Sequence, residues 1–404
     1  MTATIAPSRR LLVVAPFAPR AGGRHGGARV IGQLVRGLAE RHEVAVLHLA
    51  DAAEPPPEPE LVERCSVFEA VPRAETRPTI GERARSKLAL VRGTPTWVGE
   101  LATPAFARRL RELAAEWGPD VVQLEFPVMG QYLDALDGCD APRVLVEHDA
   151  GLRDLRPRSG VPGRAFGRLD ERAWRRFEPA VMRRVDAVVA VTERDRAALE
   201  ALGTGTRVVE IRFGVPIPDA ALSPVGEPPP SVVFVGGFRH GANVDAALWL
   251  GRELFPPVSA AVPEARLTIV GGAPPPDVRA LAGPAVDVTG GVPDVTPYLD
   301  RAAVVAAPIR AGGGMRVKVL EALAAGKAVV ASPVAVSGID VEPSVHLEVA
   351  PDGAAFTATV ASLLRDESRR RSLGEAARRW ATEHLGWERP IAAYEALYDE
   401  LLAR

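Results

Sequence analysis

The chain has 404 residues, of which 47% are apolar and 25% are charged, and its formal net charge is -2. This length exceeds what one compact core accommodates and predicts two domains of about 150 to 200 residues each. The near-neutral charge gives no reason to expect nucleic acid as a partner, and no apolar run reaches the roughly 20 residues that cross a bilayer. Cys65 and Cys139 lack metal-ligand spacing, so the sequence predicts a reducing, cytoplasmic setting and no metal.

The first half of the chain alternates short apolar runs with amphipathic segments. The runs are mostly β-branched, which is typical of buried parallel strands, and we predict strands at 11–15, 44–47, 121–124, 144–146 and 187–191. Helical spacing of apolar residues predicts helices at 28–40 and 104–117. Alternating strands and helices indicate an α/β doubly wound sheet.

A proline-rich stretch at 215–230 predicts an interdomain linker, because prolines at this density continue neither element. The strand pattern then restarts at 232–235, 267–270, 286–289, 304–307 and 329–331. We therefore expect two Rossmann-like domains, at 1–215 and 216–386, facing each other across a cleft. The amphipathic segment within 387–404 needs a surface to bury its apolar face, and we expect it to pack back onto the first domain.

The most informative motif is a strand, a glycine loop and a helix between residues 303 and 326. Gly312, Gly313 and Gly314 follow the apolar strand and precede a segment whose apolar residues, beginning at Met315, have helical spacing. Backbone N–H groups and the positive end of a helix dipole form a phosphate site at such a junction. Arg316, Lys318 and Glu321 lie in the first helical turns, where cations meet a diphosphate and a carboxylate meets a ribose. The alternative is an ordinary junction with a solvated charged turn.

Lysine is rare in this chain, which makes Lys318 conspicuous. Of 49 basic residues only three are lysines, at positions 87, 318 and 327. A lysine offers a compact charge on a flexible stem, and arginine is not its equivalent.

Other polar segments also follow predicted strands. His148 comes after the strand at 144–146, and the segment 236–243 follows the strand at 232–235. Asn243 and Asp245 open the next helix, and we expect them to cap its N-terminus, the alternative being contact with a ligand. The loop after the first strand holds Gly22, Gly23, His25, Gly26 and Gly27, which we predict to contact a diphosphate or a second substrate, or else to form a turn that needs positive φ. In open parallel sheets, ligands bind at the carboxyl ends of the strands. His148 has two interpretations: contact with a ligand in the crevice, or a hydrogen-bonded histidine that caps its strand.

At this point the chain resembles the GT-B glycosyltransferases, and within them the retaining, glycogen-synthase-like family 4. The resemblance covers nearly the whole chain and depends on residues 312–330, on residues 233–246 and on Val191-Thr-Glu-Arg-Asp. It implies that the second domain holds a nucleotide sugar and the first holds the acceptor.

The resemblance assigns roles by position. Glu321 matches the second glutamate of the family's paired-glutamate motif, which binds ribose hydroxyls, whereas Gly313 stands where the first glutamate would be. The family's Arg and Lys after the first strand of the second domain are out of register here, so the chain offers Arg239 instead. The implied donor site comprises Gly237, Arg239, His240, Gly312, Gly313, Gly314, Met315, Arg316, Lys318 and Glu321, and the implied catalytic residues are His148, Arg239 and Lys318.

The resemblance implies transfer from a UDP- or GDP-sugar to a hydroxyl acceptor, with retention, without a metal and without a further cofactor. Cations and oriented N–H groups would stabilise the charge that grows on the leaving diphosphate. Two alternatives remain open: a nucleotide-sugar epimerase of the same architecture, and a non-catalytic binding protein derived from a transferase.

The run from Arg153 to Arg184 holds ten arginines against four acidic residues. It is either a solvated helix face or a surface that contacts an anionic membrane or an anionic acceptor.

Overall fold

The computed structural model describes residues 8–20, 26–51, 56–73, 90, 93–148, 161–238, 240–311 and 316–404, with side chains from residue 166 onward in the helix that begins at Val161. The chain divides into two compact units. The first comprises Met1–Phe213 together with Glu388–Arg404, and the second comprises Gly214–Trp387. Each unit is built on one parallel sheet with helices between its strands, so the predicted α/β class is confirmed.

The first unit contains a parallel sheet whose strand order reverses next to its first strand. The strands are β1 Arg10–Ala15, β2 Glu43–Ala50, β3 Val67–Pro72, β4 Val121–Glu125, β5 Arg143–Glu147, β6 Ala187–Ala190 and β7 Arg207–Glu210. Their order is β3-β2-β1-β4-β5-β6-β7. The helices are α1 Gly26–Leu38, α2 Pro59–Glu63, α3 Thr96–Leu101, α4 Pro104–Trp117, α5 Val161–Met182 and α6 Glu193–Glu200. The reversal between β1 and β4 opens a crevice at their carboxyl ends.

The second unit repeats this plan. Its strands are β8 Ser231–Val235, β9 Arg266–Val270, β10 Val286–Gly290, β11 Val304–Ala307, β12 Val329–Ala331 and β13 Glu348–Val349, in the order β10-β9-β8-β11-β12-β13. Its helices are α7 Gly241–Trp249, α8 Phe255–Ala261, α9 Pro276–Arg279, α10 Thr296–Arg301, α11 Val317–Ala324, α12 Gly353–Arg365 and α13 Glu367–His384. Here the order reverses between β8 and β11, so their carboxyl ends border the second crevice.

The last helix, α14 (Glu388–Leu402), belongs to the first unit. Its buried face includes Ile391, which packs against Gly37 of α1. A Cβ atom at position 37 would lie only 2.8 Å from the Ile391 side chain. Glu395 of α14 accepts a hydrogen bond of 3.0 Å from Arg41 and lies 3.2 Å from the Nε2 atom of His42. Apolar packing and charged contacts therefore both hold α14 on this unit.

Three strands, β3, β7 and β13, were not predicted from the sequence, and they have one feature in common. Each lies at the edge of its sheet, and its residues are mostly half-exposed. A half-exposed strand does not need the continuous apolar run by which the buried central strands are recognised.

The proline-rich segment predicted as a linker packs within the second unit. The amide of Val215 donates to the carbonyl of Leu385 at 2.9 Å, and the amide of Leu222 donates to the carbonyl of Ala325 at 2.9 Å. The ammonium group of Lys327, which is fully buried, donates to the carbonyl oxygen of Ser223. Backbone hydrogen bonds to neighbouring elements fix this segment, whereas the prolines only prevent it from forming a helix or strand.

No helix in the described part of the chain has both the length and the apolar character that a membrane span requires.

Candidate functional site

The glycine-rich junction of the second unit lies where its sheet reverses. Strand β11 ends at Ala307, and α11 begins at Val317 with Arg316 as the preceding residue. Lys318 lies in the first turn of α11, where backbone N–H groups lack helical partners and the dipole is positive. The junction therefore combines a cationic side chain with a helix end that favours anions.

Lys318 reaches across to the neighbouring strand-loop-helix unit. Its ammonium group donates to the Oδ1 atom of Asn243 on α7 and lies 4.9 Å from the ring centroid of Phe234 on β8. Asn243 in turn donates from Nδ2 to the carbonyl of Gly237 at 2.8 Å. The pair thus connects the loop after β8 to the helix after β11.

Burial, and to a smaller extent the nearby charge of Arg316, lower the pKa of Lys318 to about 7, while the charge of Glu321 partly opposes this shift. The Asn243 oxygen is neutral, so it stabilises the ammonium less than a carboxylate would. An anionic ligand beside this ammonium would supply the missing negative charge and raise the pKa of Lys318.

Glu321 lies one turn further along α11 and is half-buried. With Lys318 it lines a small cavity at the carboxyl ends of β8 and β11, beside Val235, Ala307 and Val319. A carboxylate and an ammonium therefore lie on the same side of one helix, three residues apart, as a ligand with both hydroxyls and phosphates requires.

Close backbone approach shapes the floor of this crevice. The amide of Gly236 donates to the carbonyl of Val270 at 2.9 Å. A side chain on Gly271 would overlap the carbonyl oxygen of Gly236. Glycine at position 271 is required because the two loops pass too close for any Cβ atom.

A second connection between the same two segments corrects a sequence expectation. Asn243 and Asp245 were expected to cap α7, but the residue preceding this helix is His240, and no side chain caps it. Asp245 instead forms a bidentate ion pair with Arg310, with contacts of 3.0 and 2.6 Å. The Arg310 guanidinium also lies over the ring of Trp249, 4.6 Å from its centroid. Both residues therefore stabilise the approach of the two segments, not the helix end.

The crevice of the first unit contains His148, immediately after β5. Its Nε2 atom lies 2.5 Å from an oxygen of Glu125, the last residue of β4. The His148 side chain is 6% exposed and that of Glu125 is fully buried. The imidazole stacks on Phe126 with a centroid separation of 3.9 Å and contacts Phe213 at 4.9 Å. His148 is therefore fixed by a carboxylate and by two aromatic rings.

Helix α1 begins beside this histidine. A side chain on Gly27 would lie 2.8 Å from the ring of Phe126, which stacks on His148. Gly26 has open space around it. The start of α1 and the imidazole thus border the same crevice at the carboxyl ends of β1, β4 and β5.

Comparisons with known proteins support the glycosyltransferase resemblance found in the sequence. The family described as Glycosyltransferase Family 4 matches residues 24–217, and the family described as Glycosyl transferases group 1 matches residues 229–366. The sucrose-phosphate synthase of Thermosynechococcus elongatus has a similar structure, with a TM-score of 0.70, 18% identity, and coverage of 98% of this chain and 100% of that one. The chain is a family 4 glycosyltransferase with the GT-B fold.

Two further structures share this fold at low identity. HepE of Anabaena, solved in complex with UDP and glucose, has a TM-score of 0.66 and 13% identity, with coverage of 97% of this chain and 100% of that one. The α,α-trehalose 6-phosphate synthase of Burkholderia multivorans has a TM-score of 0.61 and 13% identity, with coverage of 98% and 99%. A comparison with curated protein sequences found no significant match.

Several predicted site residues of the glycosyltransferase lie outside the described residues. These are Gly22, Gly23, His25, Arg239, Gly312, Gly313, Gly314 and Met315. The structure brings Gly237, Lys318 and Glu321 to one crevice, with exposed His240 at the start of α7. Arg316 lies at the start of α11, where its Nε atom is 3.4 Å from the carbonyl of Val334.

Sequence analysis missed Glu125, Gln123, Arg310 and the role of Asn243. Gln123 and Glu125 are polar residues inside an otherwise apolar strand, which was a visible signal. Asn243 and Arg310 gave no such signal, because their partners lie 75 and 65 residues away in the sequence.

Only part of the arginine-rich run falls within the described side chains. On α5, Arg175 pairs with Glu171 at 2.6 Å, and beyond its end Arg184 pairs with Asp134 at 2.6 Å. Arg168, Arg172 and Arg176 are exposed and form no ion pair with a described residue. The spacing of these three, four residues apart, places them on one face of α5.

Proposed function

We propose that the glycosyltransferase moves a sugar from a UDP- or GDP-sugar to a hydroxyl acceptor and retains the anomeric configuration. The observation that carries this proposal is Lys318 at the start of α11, hydrogen-bonded to a neutral amide and three residues from Glu321. In this proposal Lys318 binds the diphosphate and Glu321 accepts hydrogen bonds from the ribose hydroxyls. The UDP in the structurally similar HepE of Anabaena supports a uridine nucleotide as the first candidate.

The chemistry follows from where charge develops. As the bond to the sugar breaks, negative charge grows on the leaving diphosphate, and a preorganised ammonium with helix N–H groups stabilises it. In the proposed mechanism the acceptor hydroxyl attacks from the face that the diphosphate leaves and passes its proton to the departing diphosphate, so configuration is retained. Side-chain cations supply the neutralising charge, and we propose that transfer needs no metal. Equal rates in EDTA and in Mg²⁺ would support this, whereas a loss of activity in EDTA that Mg²⁺ restores would contradict it.

Product analysis tests the function. The protein is incubated with UDP-glucose, UDP-N-acetylglucosamine or GDP-mannose together with a panel of hydroxyl acceptors, and free nucleotide and glycoside products are followed by mass spectrometry and by NMR of the anomeric proton. Release of UDP or GDP with an anomer of unchanged configuration supports the proposal. An epimerised nucleotide sugar would indicate an epimerase, and binding without turnover would indicate a non-catalytic protein.

The role of Glu321 has a more selective test. Glu321→Ala should weaken binding of UDP but leave the affinity for 2′,3′-dideoxy-UDP unchanged, because the dideoxy ligand lacks the hydroxyls that the carboxylate would bind. An equal loss for both ligands would place Glu321 elsewhere in the site. Lys318→Ala should weaken binding of both nucleotides equally, since both carry the diphosphate.

We further propose that α5 contacts an anionic membrane surface. Arg168, Arg172 and Arg176 form an exposed cationic face, and Leu169 beside them is 44% exposed. Each basic residue near an anionic bilayer contributes about 1 kcal/mol of binding free energy, and an exposed apolar side chain adds a shallow anchor. Such contact would bring the enzyme to an acceptor held in a membrane.

A further inference from the structure

A chain of buried hydrogen bonds joins the terminal helix to His148. Tyr398 of α14 donates from its hydroxyl to the Oε1 atom of Gln123 on β4. Gln123 donates from Nε2 to one oxygen of Glu125 at 2.5 Å, and the other oxygen of Glu125 lies 2.5 Å from Nε2 of His148. All four side chains belong to the first unit, and three of them are at most 1% exposed.

With an ionised carboxylate at Glu125 and a neutral imidazole at His148, the donors and acceptors of this chain allow one arrangement. A phenol hydroxyl donates to the amide oxygen, so the amide nitrogen must face the carboxylate. An ionised carboxylate only accepts, so the proton of a neutral imidazole must lie on the nitrogen that faces Glu125, which is Nε2. The Nδ1 atom then carries the lone pair, and it forms no hydrogen bond with a described residue.

The backbone beside the imidazole is also constrained. Phe126, which stacks on the ring, has a φ of 70°, in a region that favours glycine. Non-glycine residues in this region cost free energy and persist where the surrounding structure demands them. The side chain of Phe126 lies flat against His148, with an angle of 9° between the rings.

We propose that Glu125 is a positioning residue that fixes the tautomer and the ring plane of His148, and that Gln123 and Tyr398 make the terminal helix part of this arrangement. The imidazole then presents Nδ1 as a hydrogen-bond acceptor for a hydroxyl of the transferred sugar or of the acceptor. This inference depends on the proposed sugar transfer for its kinetic consequences, but not for its structural ones.

Two tyrosines of α14 provide a matched pair for the test. Tyr394 and Tyr398 are both buried, at 0% and 1% exposure, one helical turn apart. The hydroxyl of Tyr394 has no hydrogen-bond partner among the described residues, whereas that of Tyr398 bonds to Gln123. Tyr→Phe removes one oxygen at either site, and only at position 398 does it break the chain.

The first experiment measures UDP release from UDP-glucose in Tyr398→Phe and Tyr394→Phe. We expect Tyr398→Phe to lower kcat about two- to tenfold, the range for one lost hydrogen bond, with the affinity for UDP unchanged. Tyr394→Phe should match the wild type. Equal rates in both variants, or equal losses in both, would overturn the role of Tyr398.

The second experiment reverses the hydrogen-bond polarity at Glu125. In Glu125→Gln the new side chain has one oxygen and one NH2 group. Whichever way it turns, its NH2 group faces another donor, either Nε2 of Gln123 or the protonated Nε2 of His148. The double variant Gln123→Glu with Glu125→Gln restores a consistent chain: the carboxylate at 123 accepts from Tyr398 and from the new amide, whose oxygen accepts from His148.

We expect Glu125→Gln to lower kcat by roughly tenfold or more, because a misplaced tautomer removes the acceptor nitrogen. The double variant should recover part of this loss, since it restores the tautomer without the adjacent charge. A double variant no more active than the single one would show that the charge, not the orientation, is what matters, and would overturn the positioning role.

Nitrogen-15 NMR of the His148 imidazole separates this inference from the proposed function. The wild type and the double variant should show the Nε2-protonated tautomer, and Glu125→Gln should show a changed population. If the protein transfers no sugar, the proposed function fails while this measurement still tests the inference. If the tautomer is the same in all three proteins, the inference fails even though transfer occurs.

Discussion

Lys318 donates a hydrogen bond to the side-chain oxygen of Asn243, and this contact joins the first turn of α11 to helix α7. The two residues are 75 positions apart in the sequence, yet each follows a strand at the point where the sheet order reverses. Among the described residues, no carboxylate accepts a hydrogen bond from this ammonium, which lies at the crevice. An anionic ligand bound beside Lys318 would therefore favour its protonated form.

Binding of UDP-glucose should weaken as the pH rises above 7. The pKa of Lys318 is lowered to about 7 in the free protein, mainly by burial, and a bound diphosphate would raise it. Below pH 7 Lys318 is already protonated in the free protein. Above pH 7 it must take up a proton when the diphosphate binds, so affinity should fall by up to about tenfold per pH unit. Isothermal titration calorimetry at pH 6, 7, 8 and 9 measures the slope.

The control for this prediction is Lys318→Met. UDP-glucose has no terminal phosphate monoester, so the charge of its diphosphate is constant over this range. The variant should bind more weakly at pH 6 and show no slope above pH 7. The same slope in both proteins would assign the titration to another group.

Asn243→Asp should remove most of this pH dependence while also weakening binding. A carboxylate at position 243 would hold the ammonium of Lys318, raising its pKa well above 7, and would repel the diphosphate. We expect lower affinity for UDP-glucose at pH 6 and a flat profile to pH 8, measured by the same calorimetry. If Asn243→Asp shows the same pH dependence of UDP-glucose affinity as the wild type, the side chain at position 243 does not control the pKa of Lys318.

Lys327 should make the stability of the second unit rise with pH. Burial lowers its pKa from 10.5 to about 8, partly opposed by Asp300. Between these values the unfolded chain binds more protons than the folded one, so the free energy of unfolding increases with pH by up to about 1.4 kcal/mol per unit. The gain is absent below pH 8, where both states are protonated.

Lys327→Met isolates this contribution. The variant loses hydrogen bonds to the carbonyl oxygens of Ser223 and Asp300, so its melting temperature should be lower at every pH. The difference between wild type and variant should widen from pH 7.5 to pH 9.5, because only the wild type gains stability there. A constant difference across this range would contradict the assignment.

Removing the cationic face of α5 should abolish binding to anionic vesicles. The triple variant Arg168→Gln, Arg172→Gln and Arg176→Gln is tested by co-sedimentation with vesicles of phosphatidylglycerol and phosphatidylcholine at 50 and 300 mM salt. Wild-type binding should require phosphatidylglycerol and weaken with salt, because screening shortens the range of the attraction. The triple variant should lose about 3 kcal/mol of membrane binding free energy.

The matched control changes three other exposed arginines of the first unit, Arg108, Arg111 and Arg194, to glutamine. It alters the net charge by the same amount and should retain vesicle binding. If both triple variants lose binding equally, the attraction is due to overall charge and not to the α5 face. If neither loses it, α5 is a solvated surface.

The sequence alone determined the α/β class and most of the central strands. β11 and β12 have the predicted bounds, and β4 and β5 extend beyond them by no more than one residue at either end. This success has a physical cause, because a strand covered on both faces must be apolar along its whole length and is therefore visible locally. Helix α4 was predicted with the bounds it has, since proline begins it and a glycine with φ of 61° follows its end.

The tertiary structure decided what the local pattern left open. The edge strands β3, β7 and β13 depend on their neighbours, and the segment 215–230 takes its conformation from hydrogen bonds to residues far along the chain. The partnerships of Lys318 with Asn243 and of His148 with Glu125 follow from strand order, which brings the carboxyl ends of β8 and β11, and of β4 and β5, side by side. A sequence shows which residue follows which strand, whereas only the order of strands in the sheet determines which of those residues meet.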